Sequence, residues 1–104
     1  MSNVTKGYLF EKKCRDELKA NDWIILFKSQ RTRFGKVDYA SLFDVVCQKG
    51  RVRLYISCKV MDNSHGWIKN HKIAIEEFKN YCGLQGERFE IWIKRNKEVE
   101  KICI

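Results

Sequence analysis

The chain contains no proline, so its turns must be made by glycine, asparagine and aspartate. It has no repeats, no low-complexity tract and no linker-like stretch. No apolar run approaches the ~18 residues of a membrane-spanning helix, and no N-terminal segment reads as a signal peptide. The expectation is a cytoplasmic, intracellular protein with no membrane segment. Cysteines are few and odd in number: Cys14, Cys47, Cys58, Cys82 and Cys103. Unclustered and mostly in apolar surroundings, they read as reduced, buried small hydrophobes rather than a disulfide framework. A zinc site would have to join Cys58, His65, His71 and Cys82, and that spacing matches no usual ligand pattern. Acidic residues are also in short supply, 13 against 21 lysines and arginines, for a formal charge of +8.

What is present follows from those limits. The 104 residues suffice for one compact domain, residues 1–104, and are too few for two. A small domain this basic points to a polyanion, with nucleic acid as the first candidate and a membrane surface as the second. Three tryptophans, four tyrosines and six phenylalanines exclude a solvated basic tail.

Hydrophobic periodicity predicts a helix over residues 6–20, with Phe10, Cys14 and Leu18 as its buried stripe. Residues 23–27 form a continuous apolar run, the pattern of a strand covered on both faces. Residues 28–36 read as a mobile basic loop carrying Lys28, Arg31, Arg33 and Lys36. Residues 43–48 and 51–60 read as a hairpin turning at Lys49-Gly50. A second helix is capped by Asn63 or Ser64 and closed by Gly83, with a stripe of Trp67, Ala74, Ile75, Phe78, Tyr81 and Cys82. Residues 88–94 alternate, with Phe89, Ile91 and Ile93 on one face, and residues 99–104 form a short edge strand. The expected fold is α/β, in the order α-β-β-β-α-β-β, a mixed sheet flanked by helices.

The hairpin carries the chemistry. Tyr55, Ser57 and Lys59 alternate with Leu54, Ile56 and Cys58, and strand parity places Asp44 on the face of Val46. An antiparallel hairpin then brings Asp44 near Ser57 and Lys59. A solvated ion pair on a polar sheet face is the plainer reading of each residue alone. An aspartate in the apolar setting Phe43-Asp44-Val45-Val46, however, needs a partner such as a lysine or a metal. Glu11 lies at the edge of the first helix's apolar stripe. Gly7, one turn earlier, would allow that face to approach the sheet. Asp38 is a rival to Asp44, but it stands outside the clear strand, 21 positions from Lys59 where Asp44 is 15.

The segment Lys6-Gly7-Tyr8-Leu9-Phe10-Glu11 resembles the first-helix signature of archaeal Holliday-junction resolvases, a branch of the PD-(D/E)xK nuclease superfamily. The run from Asp44 to Lys59 is similar to the family's strand motif, an Asp followed across a glycine turn by acid-x-Lys. The likeness covers about residues 4–94. It implies a restriction-endonuclease-like fold and a metal-dependent DNA endonuclease, with Glu11, Asp44, Ser57 and Lys59 at the catalytic positions. Glu11, Asp44 and the Cys58 backbone carbonyl would hold Mg2+, for which Mn2+ can substitute, and Lys59 would orient the attacking water or steady the phosphate charge. Branched or junction DNA would be the partner and a homodimer the assembly, since two symmetric cuts need two sites.

Ser57 departs from the family pattern, which has an acid there. Three readings follow. The enzyme works with Glu11 and Asp44 alone. Or an acid has moved to the second helix, where Glu77 flanks the stripe and Glu76 lies opposite it. Or the protein is a catalytically impaired nuclease-fold domain that binds DNA or RNA. The basic residues Lys28, Arg31, Arg33 and Lys36 are the expected phosphate contacts. Phe34 among them packs as an anchor, stacks on an exposed base or wedges at a junction.

Overall fold

The computed structural model describes residues 3–33, 35–61, 65–83 and 86–104. Helix α1 spans Asn3–Ala20 and is followed by strands β1 (Ile24–Lys28), β2 (Gln30–Thr32), β3 (Gly35–Val37), β4 (Val45–Lys49) and β5 (Val52–Val60). Helix α2 (His65–Cys82) and strands β6 (Arg88–Arg95) and β7 (Glu98–Cys103) complete the chain. Five strands form one mixed sheet in the order β1-β4-β5-β6-β7, and β2 pairs with β3 in a separate ribbon. All neighbouring pairs in the main sheet are antiparallel except β5 with β6, which run parallel with α2 as their crossover. The parallel pair is what a β-α-β connection requires.

One helix covers each face of the sheet. Phe10, Cys14 and Leu18 of α1 pack on Val45, Cys47, Leu54, Ile56, Cys58 and Trp92. On the other face Ile75 of α2, with Phe78 and Trp67, packs on Phe43, Val46, Tyr55, Phe89, Ile91 and Ile93. Tyr55 and Phe89 stack there, ring centroids 4.8 Å apart. Strands β5 and β6 are buried on both faces through their middles because both helices lie over them. Glu90 is tolerated inside the α1-side layer because Arg88 and Trp92 Nε1 donate to its two oxygens at 2.9 Å.

Several sequence expectations are corrected. The apolar run at residues 23–27 is an edge strand, not one covered on both faces: Ile24 is 67% exposed and Leu26 51%. Its register against β4 shifts between Ile25 and Phe27. That irregularity lets Ile25 serve the α1-side core and Phe27 the α2-side core, although both have the same parity. The basic stretch is not a loop but the β2–β3 hairpin, in which Arg31 pairs with Lys36. Its residues cover no core, so no apolar alternation announces it. The main hairpin turns at Gly50-Arg51, one residue later than expected, with Lys49 opposite Val52. Gly50 takes φ +60, which glycine adopts without steric cost. Tyr81 and Cys82 lie on the exposed side of α2 rather than in its stripe. Gly83, at φ +66, closes that helix. The expected cap at Asn63 or Ser64 and the side chain of Phe34 lie outside the described residues. Cys14, Cys47 and Cys58 are buried and free, whereas Cys82 and Cys103 are exposed. Burial, aided by Glu90, pushes the Cys47 thiol up to about 12, as suits an inert core residue. Among the described residues, no helix is long and apolar enough to cross a membrane.

Candidate functional site

Asp44 sits where β4 begins, and side-chain alternation slips there. Phe43 and Val46 both face α2, while Val45 faces α1. The parity argument that put Asp44 beside Ser57 and Lys59 therefore fails. The Asp44 amide donates to the Ile56 carbonyl (2.9 Å), and its own carbonyl accepts from the Ser29 amide (2.8 Å). Asp44 Oδ2 accepts from the Cys58 amide at 2.6 Å. Backbone N–H groups lie in the plane of a sheet. The carboxylate thus extends the β4–β5 ladder past the end of β4 instead of standing on either face.

From that position Asp44 meets the ammonium of Lys36 on β3, and Glu11 of α1 meets the same ammonium. Asp38 Oδ1 lies 3.6 Å from it. Glu11 and Asp44 are 4% and 5% exposed, so two nearly buried carboxylates share one cation. Ser29 Oγ donates to Asp38 Oδ1 at 2.5 Å and is 3.3 Å from Asp44 Oδ1. Burial works to lower the Lys36 pKa, but its hydrogen bonds to Asp44 and Glu11 outweigh that, and the net shift is well upward. Burial lifts the Asp44 carboxyl above its ordinary value, against the pull of Lys36 and the Cys58 amide.

Glu11 gains its place from α1, whose stripe seats the helix on β5 and leaves residue 11 at the stripe's edge. A Cβ on Gly7 would lie 3.5 Å from the Arg31 guanidinium. What approaches α1 at Gly7 is therefore the β2–β3 hairpin, not the main sheet. Lys36, expected among the phosphate contacts, instead neutralises the carboxylates. Lys28, Arg31 and Arg33 are exposed along the same segment.

Ser57 and Lys59 turn to the other side. Ser57, 2% exposed, donates to the Leu42 carbonyl at 2.6 Å. With its one proton committed, its oxygen accepts from His71 Nε2 at 2.7 Å, which assigns the proton to Nε2. His71 stacks on Trp67 with centroids 4.5 Å apart. Burial draws the imidazole pKa below its ordinary value, opposed by a backbone bond to Leu42 and by Asp44. Lys59 holds its ammonium 5.6 Å over the Trp67 ring. The lysine at the carboxylates is thus Lys36, not Lys59. Sequence reasoning placed Lys36 among the phosphate contacts rather than at the carboxylates, and gave His71 no part beside Ser57. The signal for Lys36 was the unpaired acid in an apolar strand; for His71 nothing in the spacing pointed to Ser57. Glu76 and Glu77 are exposed on α2 and line a surface groove with Cys103 and Ile104.

The donor chemistry suits a hard cation. Two carboxylates already hold an ammonium. The Cys58 carbonyl leaves β5 on the same edge as the Ile56 carbonyl that Asp44 engages, two residues on. Such oxygens are what Mg2+ takes, with water completing its shell. Among the described residues, no three His, Cys, Asp or Glu side chains are gathered so as to hold a bare metal ion. The Lys36 ammonium fills the position between the two carboxylates, so any other cation there would have to displace it. No protein-family model matches the chain, and a search of curated proteins finds none that matches it.

Proposed function

We propose that this protein is a Mg2+-dependent DNA endonuclease on a restriction-endonuclease-like fold, most like a structure-specific Holliday-junction resolvase. One observation carries the reading: Glu11 from α1 and Asp44 from the start of β4, far apart in sequence and both nearly buried, converge on one cation. Burying two acids against a single positive charge is costly for stability alone and suits a centre built to bind a more highly charged ion. Glu11, Asp44 and the Cys58 carbonyl would hold Mg2+, which would activate water and offset charge on the phosphate. Lys28 at the end of β1, with Arg31 and Arg33 of the β2–β3 hairpin, would meet the phosphate backbone beside the centre. On a four-way junction the protein acts as a homodimer.

A second reading is a nuclease-fold domain that binds DNA or RNA without cutting it. It is favoured by the commitment of Ser57 to His71 and Leu42, by the turn of Lys59 toward Trp67, and by Lys36 filling the cation position. Incubation of purified protein with a labelled four-way junction and a matched duplex, with Mg2+, Mn2+ or neither, separates the two. Metal-dependent paired nicks that vanish in Asp44→Asn support the endonuclease. Junction binding with no cleavage in either metal leaves the binding domain.

A further inference from the structure

Arg15 is the one buried cation among the described residues, 9% exposed, and its guanidinium makes no hydrogen bond or ion pair with any of them. Glu11, one turn earlier on α1, stands at the spacing for a helical ion pair, but it is held by Lys36. A charge taken out of water without a partner is costly. No Arg15 nitrogen is sealed off, since the orphaned buried side-chain atom among the described residues is Glu87 Oε2. Arg15 lines a cleft of about 460 Å³ between α1 and β1, together with Lys19, Lys28 and Gln30. Its remaining lining is apolar, so three cations meet there and no acid. Neither Lys19 nor Lys28 has an ion-pair partner among the described residues.

We propose that this cleft binds a phosphate of the nucleic-acid backbone. The inference rests on the nucleic-acid part of the reading above and not on metal or cleavage. Arg15 is the anchor, because its planar fork matches two phosphate oxygens, and its burial fixes where the phosphate sits. Lys19 and Lys28 add point charges and Gln30 an amide donor. The cleft adjoins the carboxylate centre through both walls. Glu11 lies one turn before Arg15, and Ser29, whose Oγ reaches Asp38 and Asp44, follows Lys28. A strand seated at the centre therefore lays a neighbouring phosphate into the cleft. Arg15 and Lys19 extend the phosphate contacts from the β2–β3 hairpin onto α1.

The test is fluorescence anisotropy on labelled four-way junction and duplex DNA in EDTA across a salt series, paired with thermal unfolding of each variant. Arg15→Met should weaken binding about tenfold, the scale of a lost charge-assisted hydrogen bond. It should also make the slope of log K against log[salt] shallower by about one. Its unfolding temperature should hold or rise, because an unpaired buried charge is removed while the packed stem is kept. Arg15→Lys should retain the salt slope and lose affinity through the missing fork. Lys97→Gln, in the β6–β7 turn at the far edge of the sheet, should alter neither affinity nor slope. A clear drop in the unfolding temperature of Arg15→Met would make Arg15 a structural cation and overturn the proposal. Wild-type affinity and slope in Arg15→Met would also overturn it, while leaving the nucleic-acid reading in place. A mononucleotide at constant ionic strength should not displace the junction. Displacement that Arg15→Met abolishes would make the ligand a free nucleotide and sink the backbone assignment. If wild type binds neither DNA at low salt, the proposal and the nucleic-acid reading fall together.

Discussion

Lys36 decides the state of the centre in the metal-free protein. Its side chain is 27% exposed, while those of Glu11 and Asp44 are 6% and 7% exposed. Removing one partner of such an assembly leaves buried charge uncompensated, at a cost of about 3–5 kcal/mol. Lys36→Met should therefore lower the unfolding temperature clearly in EDTA. Added Mn2+ should restore most of the loss and bind more tightly than to wild type, because no ammonium competes. Chemical denaturation with and without metal checks this; equal losses in both conditions would mean that Lys36 serves packing only.

His71 gives a pH test at the same scale. Its folded pKa is lowered from 6.5, chiefly by burial, so the native state resists a proton that the unfolded chain accepts. The stability it confers is present above pH 6.5 and is lost as pH falls through the lowered folded value. Asp44 acts with the opposite sign: its raised carboxyl makes stability fall as pH rises through the shifted value. Comparing wild type with His71→Gln isolates the histidine. The stability advantage of wild type should shrink from pH 7.5 to pH 5.5, as read by thermal unfolding across that range. A constant difference would exclude a titrating His71.

Among the elements, α1 is the support on which Glu11 depends. Phe10, adjacent in sequence, is buried against the sheet with Cys14 and Leu18. Phe10→Ala should cost about 3–5 kcal/mol through lost burial and the cavity left behind. It should also loosen Mn2+ binding without touching any charged group. On the proposed reading, the β2–β3 hairpin would contact phosphates. If about six phosphates are contacted, log K should fall with log[salt] at a slope near −5. Removing Arg31 and Arg33 together should make that slope shallower by about one to two, roughly one per lost phosphate contact. Fluorescence anisotropy on junction DNA across a salt series gives both slopes, and an unchanged slope would place the interface elsewhere on the protein.

At the scale of the whole molecule, a +8 charge on 12.4 kDa favours rapid encounter with any nucleic acid, so specificity must come from geometry. On the proposed reading, two symmetric cuts at a junction would need two centres and hence two protomers. Sedimentation with four-way junction DNA should show two protomers per junction, against a lower or variable ratio on duplex. One protomer per junction at saturation would remove the resolvase mode while leaving nucleic-acid binding intact.

Sequence alone determined the periodic parts of this protein. The stripe Phe10, Cys14, Leu18 and the alternation Phe89, Ile91, Ile93 follow from the 3.6- and 2-residue repeats, which are local properties of the backbone. Glu11 and Asp44 were legible as acids in apolar surroundings. Only the tertiary structure decided what those acids meet. The slip in alternation at Asp44 redirects one carboxylate into the plane of the sheet, and no residue pattern marks it. The β2–β3 ribbon, held by backbone pairing without a core face, brings Lys36 and Asp38 to the centre. The crossover helix α2 delivers His71 to Ser57. Each of these is a contact between segments whose separation in sequence carries no information about their separation in space, so burial and pairing had to place them.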